Sequence, residues 1–381
     1  MAHVVILGGG FGGLAAAHEL RTHHADIEVT LLDRKDHFYM GFAKLWDLGH
    51  VRPLADGTRS LANLANRGVR FLQTEITALD PSARIVETSE GTLEADAILV
   101  ALGAAKSQRH LGFLNSQGAH DLYDGVQLPA IHADLDALTE GRILISILGG
   151  PFQCPPAPYE AALLVDERLR ERGVRDKVEL AVSTPQPMAL PVAGADASRY
   201  LAGYLGERGI DLLSEKKVTG VDGATRTVGF DDGSTCDYSL LLGVPACAAL
   251  TLLAEAGLTG ESGFIEPDRH SLRTDYERVY AVGDSTHIPT ATGALPKAGV
   301  FAAGEAVVAA GNIAADLVGS AEARFDGHGF CFLELPGRRV AFVEGNFYAE
   351  PKPQVELTDA DEDQFLRKQA YETERLDAWL G

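Results

Sequence analysis

Two cysteines far apart in the chain sit in settings better suited to chemistry than to packing. Cys154 stands in Gly149-Gly150-Pro151-Phe152-Gln153-Cys154-Pro155-Pro156-Ala157-Pro158-Tyr159-Glu160, just ahead of a helix expected over about Ala157 to Glu171, whose dipole should favour the thiolate. Cys331 lies in Gly327-His328-Gly329-Phe330-Cys331-Phe332-Leu333-Glu334. Cysteine is often simply a small buried apolar residue, but a proline-rich loop makes a poor core segment. Cys236 and Cys247 match no motif and read as packing residues. With no CxxC and wide spacing, the four cysteines suggest neither a zinc site nor a secreted disulfide framework, and no metal ligands are expected. Glu160 and His328 are the nearest candidates for a general base, although a helix start favours a glutamate anyway and a histidine between glycines is often a turn residue.

A second chemical feature opens the chain. Gly8-Gly9-Gly10-Phe11-Gly12-Gly13 satisfies G-x-G-x-x-G between an apolar strand, Val4 to Leu7, and a helix over about Gly12 to His23. The first glycine permits the tight turn, the second admits a pyrophosphate, and the third lets helix and strand pack. The helix N-terminus supplies free N–H groups and partial positive charge. Asp33 ends the next strand, where a carboxylate can accept from both ribose hydroxyls and would repel a 2′-phosphate. Phe11, Gly12, Arg34, Ala101 and Gly103 complete the candidate cofactor lining on this side. The motif alone does not separate FAD from NAD.

Thr274 through Asp284, TDYERVYAVGD, resembles the second flavin-contact signature of the two-dinucleotide-fold flavoprotein oxidoreductases. The resemblance implies FAD, with Asp284 on the ribityl chain and backbone near Gly283 at the flavin phosphate. Leu295-Pro296-Lys297-Ala298-Gly299 resembles the Pro-Lys-x-Gly of a narrower group, in which Lys297 would stabilise reduced flavin from the start of a helix running to about Gly311. CPPAPYE and the Cys331 segment are similar to the cysteine loops of sulfide:quinone oxidoreductases and of the flavoprotein subunit of flavocytochrome c sulfide dehydrogenases. That likeness extends over essentially the whole chain. It implies that Cys154 and Cys331 meet beside the flavin, joined by a disulfide or sulfur bridge when oxidised. Sulfide would attack one sulfur, leaving a persulfide, and the freed thiolate would reduce the flavin; which cysteine is attacked stays open. Many sulfide:quinone oxidoreductases carry a third cysteine upstream of this loop, and here none precedes position 154.

These sites need a frame, and the patterning supplies one. The reading is α/β, with two Rossmann-like dinucleotide-binding domains and a small C-terminal cap bearing an amphipathic helix. A discontinuous FAD domain takes 1–108 and 266–324, a second Rossmann-like domain takes 109–265, and the cap takes 325–381. In the second domain, strand Arg142 to Gly150 is followed by no G-x-G-x-x-G, and the next strand ends at Ser183-Thr184 instead of an acid, so NADH binding in the usual manner is not expected. One further strand is expected over about Asp211 to Val218. In the tail, the spacing of Phe365, Leu366, Leu376, Trp379 and Leu380 puts several apolar residues on one helical face. With Phe330, Phe332, Phe342 and Phe347 they suggest either an opening for a quinone or cover for the core or a dimer contact.

A net charge of -21 argues against a nucleic-acid partner, since phosphate binding needs a basic surface. It also disfavours firm attachment to anionic lipid. No run approaches a spanning helix and no signal peptide is evident, so the expected location is the cytoplasm, with peripheral contact at the cytoplasmic membrane face left open. The leading reading is sulfide oxidation with electrons passed through FAD to a quinone, a soluble acceptor remaining open. Its rivals are the same chemistry feeding a cytochrome, a type II NADH:quinone dehydrogenase, and a non-catalytic flavin redox sensor.

Overall fold

Two five-stranded parallel sheets, which share the order of four strands and differ in the chain position of the fifth, organise the computed structural model, which describes residues 1–381. In the first, the central strand Ala2–Leu7 lies between Ile27–Asp33 and Ala97–Val100, with Arg70–Gln73 and Val279–Ala281 outside them. In the second, Gly141–Ile147 is central between Val178–Ser183 and Leu240–Val244, flanked by Ile210–Leu213 and Ala119–Asp121. The central strands are apolar and almost wholly buried because helices and meanders cover both faces. Each sheet also carries a three-stranded antiparallel meander, Ile76–Glu94 in one and Val218–Asp237 in the other, between its third strand and the strand that returns beside the centre.

The two units join through an antiparallel pair, Ala105–Lys106 with Cys247–Ala248. Val279–Ala281 then returns to the first sheet, parallel to Ala97–Val100. The Gly299–Val318 helix packs along the Phe11–His23 helix. It is longer than its sequence suggested and, by length and composition, is apolar enough to cross a membrane. Here it is a core helix: Glu305 and Asn312 are buried in it, and Asn312 bonds to Ser271 and Ala323.

The expected strand over Asp211 to Val218 is instead two. Ile210–Leu213 belongs to the second sheet and Val218–Asp222 to the meander, with Glu215 at φ 56° in the turn between them. Beyond residue 325, His328–Leu335, Arg339–Asn346 and Gln354–Leu357 form an antiparallel sheet, and Glu362–Leu380 is the terminal helix. Asp361 caps that helix by accepting from the Gln364 amide at 2.7 Å. The helix docks on its own chain: Phe365, Leu376, Trp379 and Leu380 are buried, while Leu366 is 49% exposed.

Candidate functional site

The glycine loop is built as its spacing predicted. Gly8 has φ 107°, and a Cβ there would lie 2.3 Å from the Ala101 carbonyl oxygen. A Cβ on Gly13 would lie 1.8 Å from the Gly8 carbonyl oxygen. Those two glycines are demanded by packing. Gly10 is different, since a Cβ on it would meet nothing within 4 Å; this is the open face a pyrophosphate needs. Asp33 accepts from the Gly9 amide at 2.7 Å and from the Lys35 amide at 2.8 Å, which holds its carboxylate at the loop. Arg34 follows on the exposed side, and Gly103, at φ 71°, is also open. Gly12 packs on Val282, and the Phe11 ring fills the space beside Gly299, with Phe38 and Trp379 edge-on at 5.3 and 6.1 Å.

At the end of Val279–Ala281, the Gly283 amide donates to buried Glu305 at 2.6 Å, and burial pushes Glu305 up to about 8. Asp284 accepts from the Gln153 side chain at 2.5 Å, which ties this strand end to the cysteine loop. Burial raises Asp284 and lowers Lys297. Lys297 donates from Nζ to the Asp284 and Thr286 carbonyls at 2.7 and 3.0 Å and lies 3.8 Å from the centre of the Phe264 ring. Open glycines and strand-end carboxylates of this kind fit a dinucleotide.

Cys154 occupies the matching end of the second sheet's central strand. It sits at φ 45°, a left-handed conformation unusual outside glycine. Its backbone is pinned twice, the amide donating to the Lys297 carbonyl at 2.8 Å and the carbonyl accepting from the Tyr123 hydroxyl at 3.0 Å. Strain held in place by its surroundings is common at reactive sites. Cys331, on His328–Leu335, packs against the same apolar cluster as Cys154. Both are free thiols, and a charge on Cys154 would raise Cys331.

The expected low-pKa thiolate is not found. Loss of solvation, then Glu160, pushes Cys154 up to about 12, and loss of solvation likewise raises Cys331 well above the ordinary thiol. The helix after Cys154 is capped by proline, and one helix end does not offset desolvation. Glu160 is the acid that acts on both thiols. It is 1% exposed, accepts from the Glu334 amide at 2.7 Å, and is raised to about 7 by burial.

Lys368 was not singled out from the sequence. Only 1% exposed, it lies 2.5 Å from Glu334 and 3.6 Å from Glu160, and the two acids push it up to about 12 against its own desolvation. The Trp46 indole donates to both Glu334 oxygens, at 2.9 and 2.7 Å. The helical face Phe365, Lys368, Glu372, Leu376, Trp379 advances by three or four residues at each step, so a lysine at an inward position was the available signal. His328, by contrast, is exposed and faces Glu344 at 3.4 Å, which removes it as a base for these thiols. Phe330 meets Tyr371 edge-on and Phe332 meets it tilted, with Phe342 against both phenylalanines, but Phe347 packs on Phe301 in another cluster. Cys247 is nearer the site than its sequence suggested: its amide donates to Pro151, and Asp284 and Lys297 both act on its thiol.

Comparison with known proteins follows these lines. The profile of the family described as pyridine nucleotide-disulphide oxidoreductase matches residues 2–298. The chain belongs to that family. This oxidoreductase is 28% identical over 342 residues to the sulfide-quinone reductase of Aquifex aeolicus, covering 83% of this chain and 76% of the relative. It is 23% identical to the mitochondrial sulfide:quinone oxidoreductase of Dictyostelium discoideum, covering 97% and 84%. The solved sulfide:quinone oxidoreductase of Aquifex aeolicus shares the fold with a TM-score of 0.86 at 22% identity, over 98% of this chain and 90% of that one. A flavin cofactor follows from family membership together with these homologues, and the chain is a flavin-dependent oxidoreductase.

Proposed function

We propose that this oxidoreductase uses FAD to oxidise sulfide at Cys154 and Cys331 and passes the electrons to a quinone. One observation carries the reading. Where a second dinucleotide fold would present an NADH loop, there is a strained cysteine that shares an apolar cluster with a second one, above a buried Glu160–Lys368–Glu334 network. The names of the relatives, sulfide-quinone reductase and sulfide:quinone oxidoreductase, agree with it.

In this reading Gly8, Gly10, Gly12, Gly13, Asp33 and Arg34 hold the adenosine and pyrophosphate of FAD. Ala101, Gly103, Gly283, Asp284 and Lys297 hold its flavin half, with Phe11 closing the cleft. FAD, when bound, accepts an electron pair and hands it to the acceptor. With the two cysteine sulfurs bridged, hydrosulfide attacks one of them, an S–S bond forms as the bridge breaks, and the other sulfur leaves as a thiolate carrying the electron pair. Glu160, poised near neutrality, takes the proton released when the persulfide ionises, and Lys368 balances the charge left beneath it. The Phe330, Phe332, Phe342 and Tyr371 rings offer an apolar approach for a quinone from the periphery of a membrane.

The test is anaerobic bleaching of the bound flavin by sulfide in one cell and by NADH in another. The reading expects rapid bleaching with sulfide. Rapid bleaching with NADH alone would reject it in favour of the dehydrogenase.

A further inference from the structure

Lys44 is a cation beside the sulfur site that the chemistry above leaves unused. Its short helix, Ala43–Leu48, follows the second strand of the first sheet, yet Nζ reaches across to donate to the Tyr123 carbonyl at 2.8 Å and lies 5.5 Å from the centre of that ring. The Tyr123 hydroxyl in turn donates to the Cys154 carbonyl. One side chain therefore separates the ammonium from the cysteine loop. Lys44 has no carboxylate within ion-pairing distance, and Asp121, the acid that acts on it, is already paired with Lys106 at 2.6 Å. The groups that face Lys44 are Lys106, Asp121, Cys154, Lys35 and the Tyr123 ring, and Lys44 is one of the two cations that lower Cys154.

A half-buried ammonium without a counter-ion is costly. A single carbonyl uses one of its three N–H donors, which leaves two for another acceptor. Burial, followed by Lys106, lowers Lys44 to about 8, so its charge is present at neutral pH and lost in mild alkali. We propose that Lys44 positions the anionic sulfur substrate at Cys154, as the cation that draws hydrosulfide to the loop. The proposal rests on the sulfide reading and deepens it. A purely structural role, in which Lys44 is a strut to the Tyr123 carbonyl, makes different demands, and the two can be told apart.

The experiment is stopped-flow anaerobic reduction of the FAD-loaded enzyme by sulfide across pH, with wild type, Lys44→Gln and Lys44→Arg. At neutral pH, Lys44→Gln should lose about tenfold or more in the second-order constant, with little change in the limiting rate at saturating sulfide. The wild-type constant should fall as pH passes about 8, where the ammonium deprotonates. That limb should be absent in Lys44→Gln and shifted to higher pH in Lys44→Arg, while reoxidation by decylubiquinone is unchanged in both. A Lys44→Gln enzyme with the wild-type constant and limb overturns the assignment. So does one that loses bound flavin or decylubiquinone reoxidation along with the sulfide step, because that is the strut's signature. Wild type that sulfide does not bleach overturns the underlying sulfide reading instead.

Discussion

The loops that follow the central strands of the two sheets, Gly8 to Gly13 and Gly149 to Glu160, stand at the same place in a four-strand order that both sheets share and are built in opposite ways. The first keeps an open face at Gly10 and an acid, Asp33, at the end of the neighbouring strand. In the second, the His110 ring lies 2.6 Å from where a Cβ of Gly149 would stand. The neighbouring strand there ends in Ser183, which donates to Ser146 at 2.7 Å in a buried pair. One loop leaves room, whereas the other is filled, pinned and supported by buried charge. A Rossmann-like sheet therefore fixes where a site will be, and the loop chemistry decides what it does.

The sharpest contrast lies in what each loop leans on. Lys368→Met leaves Glu160 and Glu334 buried without their cation and should cost about 3–5 kcal/mol, read as a lowered denaturant midpoint. Gly13→Ala strikes the other loop through sterics. Its new Cβ would press on the Gly8 carbonyl, backbone that cannot easily give, for a loss of about 3 kcal/mol in the same assay. If both variants melted like wild type, the proposed division between charge and packing would be wrong.

Two smaller effects refine the comparison. Glu160 is raised to about 7, so as a base it works when ionised, and sulfide-driven flavin reduction should slow as pH falls through that value. Glu160→Gln should lose this acid limb and about a hundredfold in rate; a limb that survives the substitution points to another group. Gly10→Ala adds a methyl where the protein has nothing to clash with, so stability should hold while FAD affinity drops about tenfold, measured by flavin release on dilution. Unchanged affinity would mean that the pyrophosphate does not approach there.

How much of this was legible in the sequence follows the same divide. The first loop could be read because its glycines and Asp33 are specified by backbone geometry within one short segment. The cysteine loop was visible as residue types, but not its electrostatics: burial in the folded chain raises Cys154, and the helix-dipole argument left that burial out. Lys368 and Lys44 were hidden for the same reason, since each acquires its role by reaching across to another element. The misread strand over 211–218 is local. Its apolar residues stop at Leu213 and resume at Val218, and the polar Ser214-Glu215-Lys216-Lys217 between them holds the turn, with Glu215 in the left-handed region.

The account stands most directly on the pairing of Cys154 with Cys331, and single-turnover bleaching of FAD-loaded Cys154→Ser and Cys331→Ser by sulfide measures it. Both variants should keep the flavin and its visible spectrum, and in each the bleaching should all but vanish. Bleaching at the wild-type rate in either variant would contradict the account.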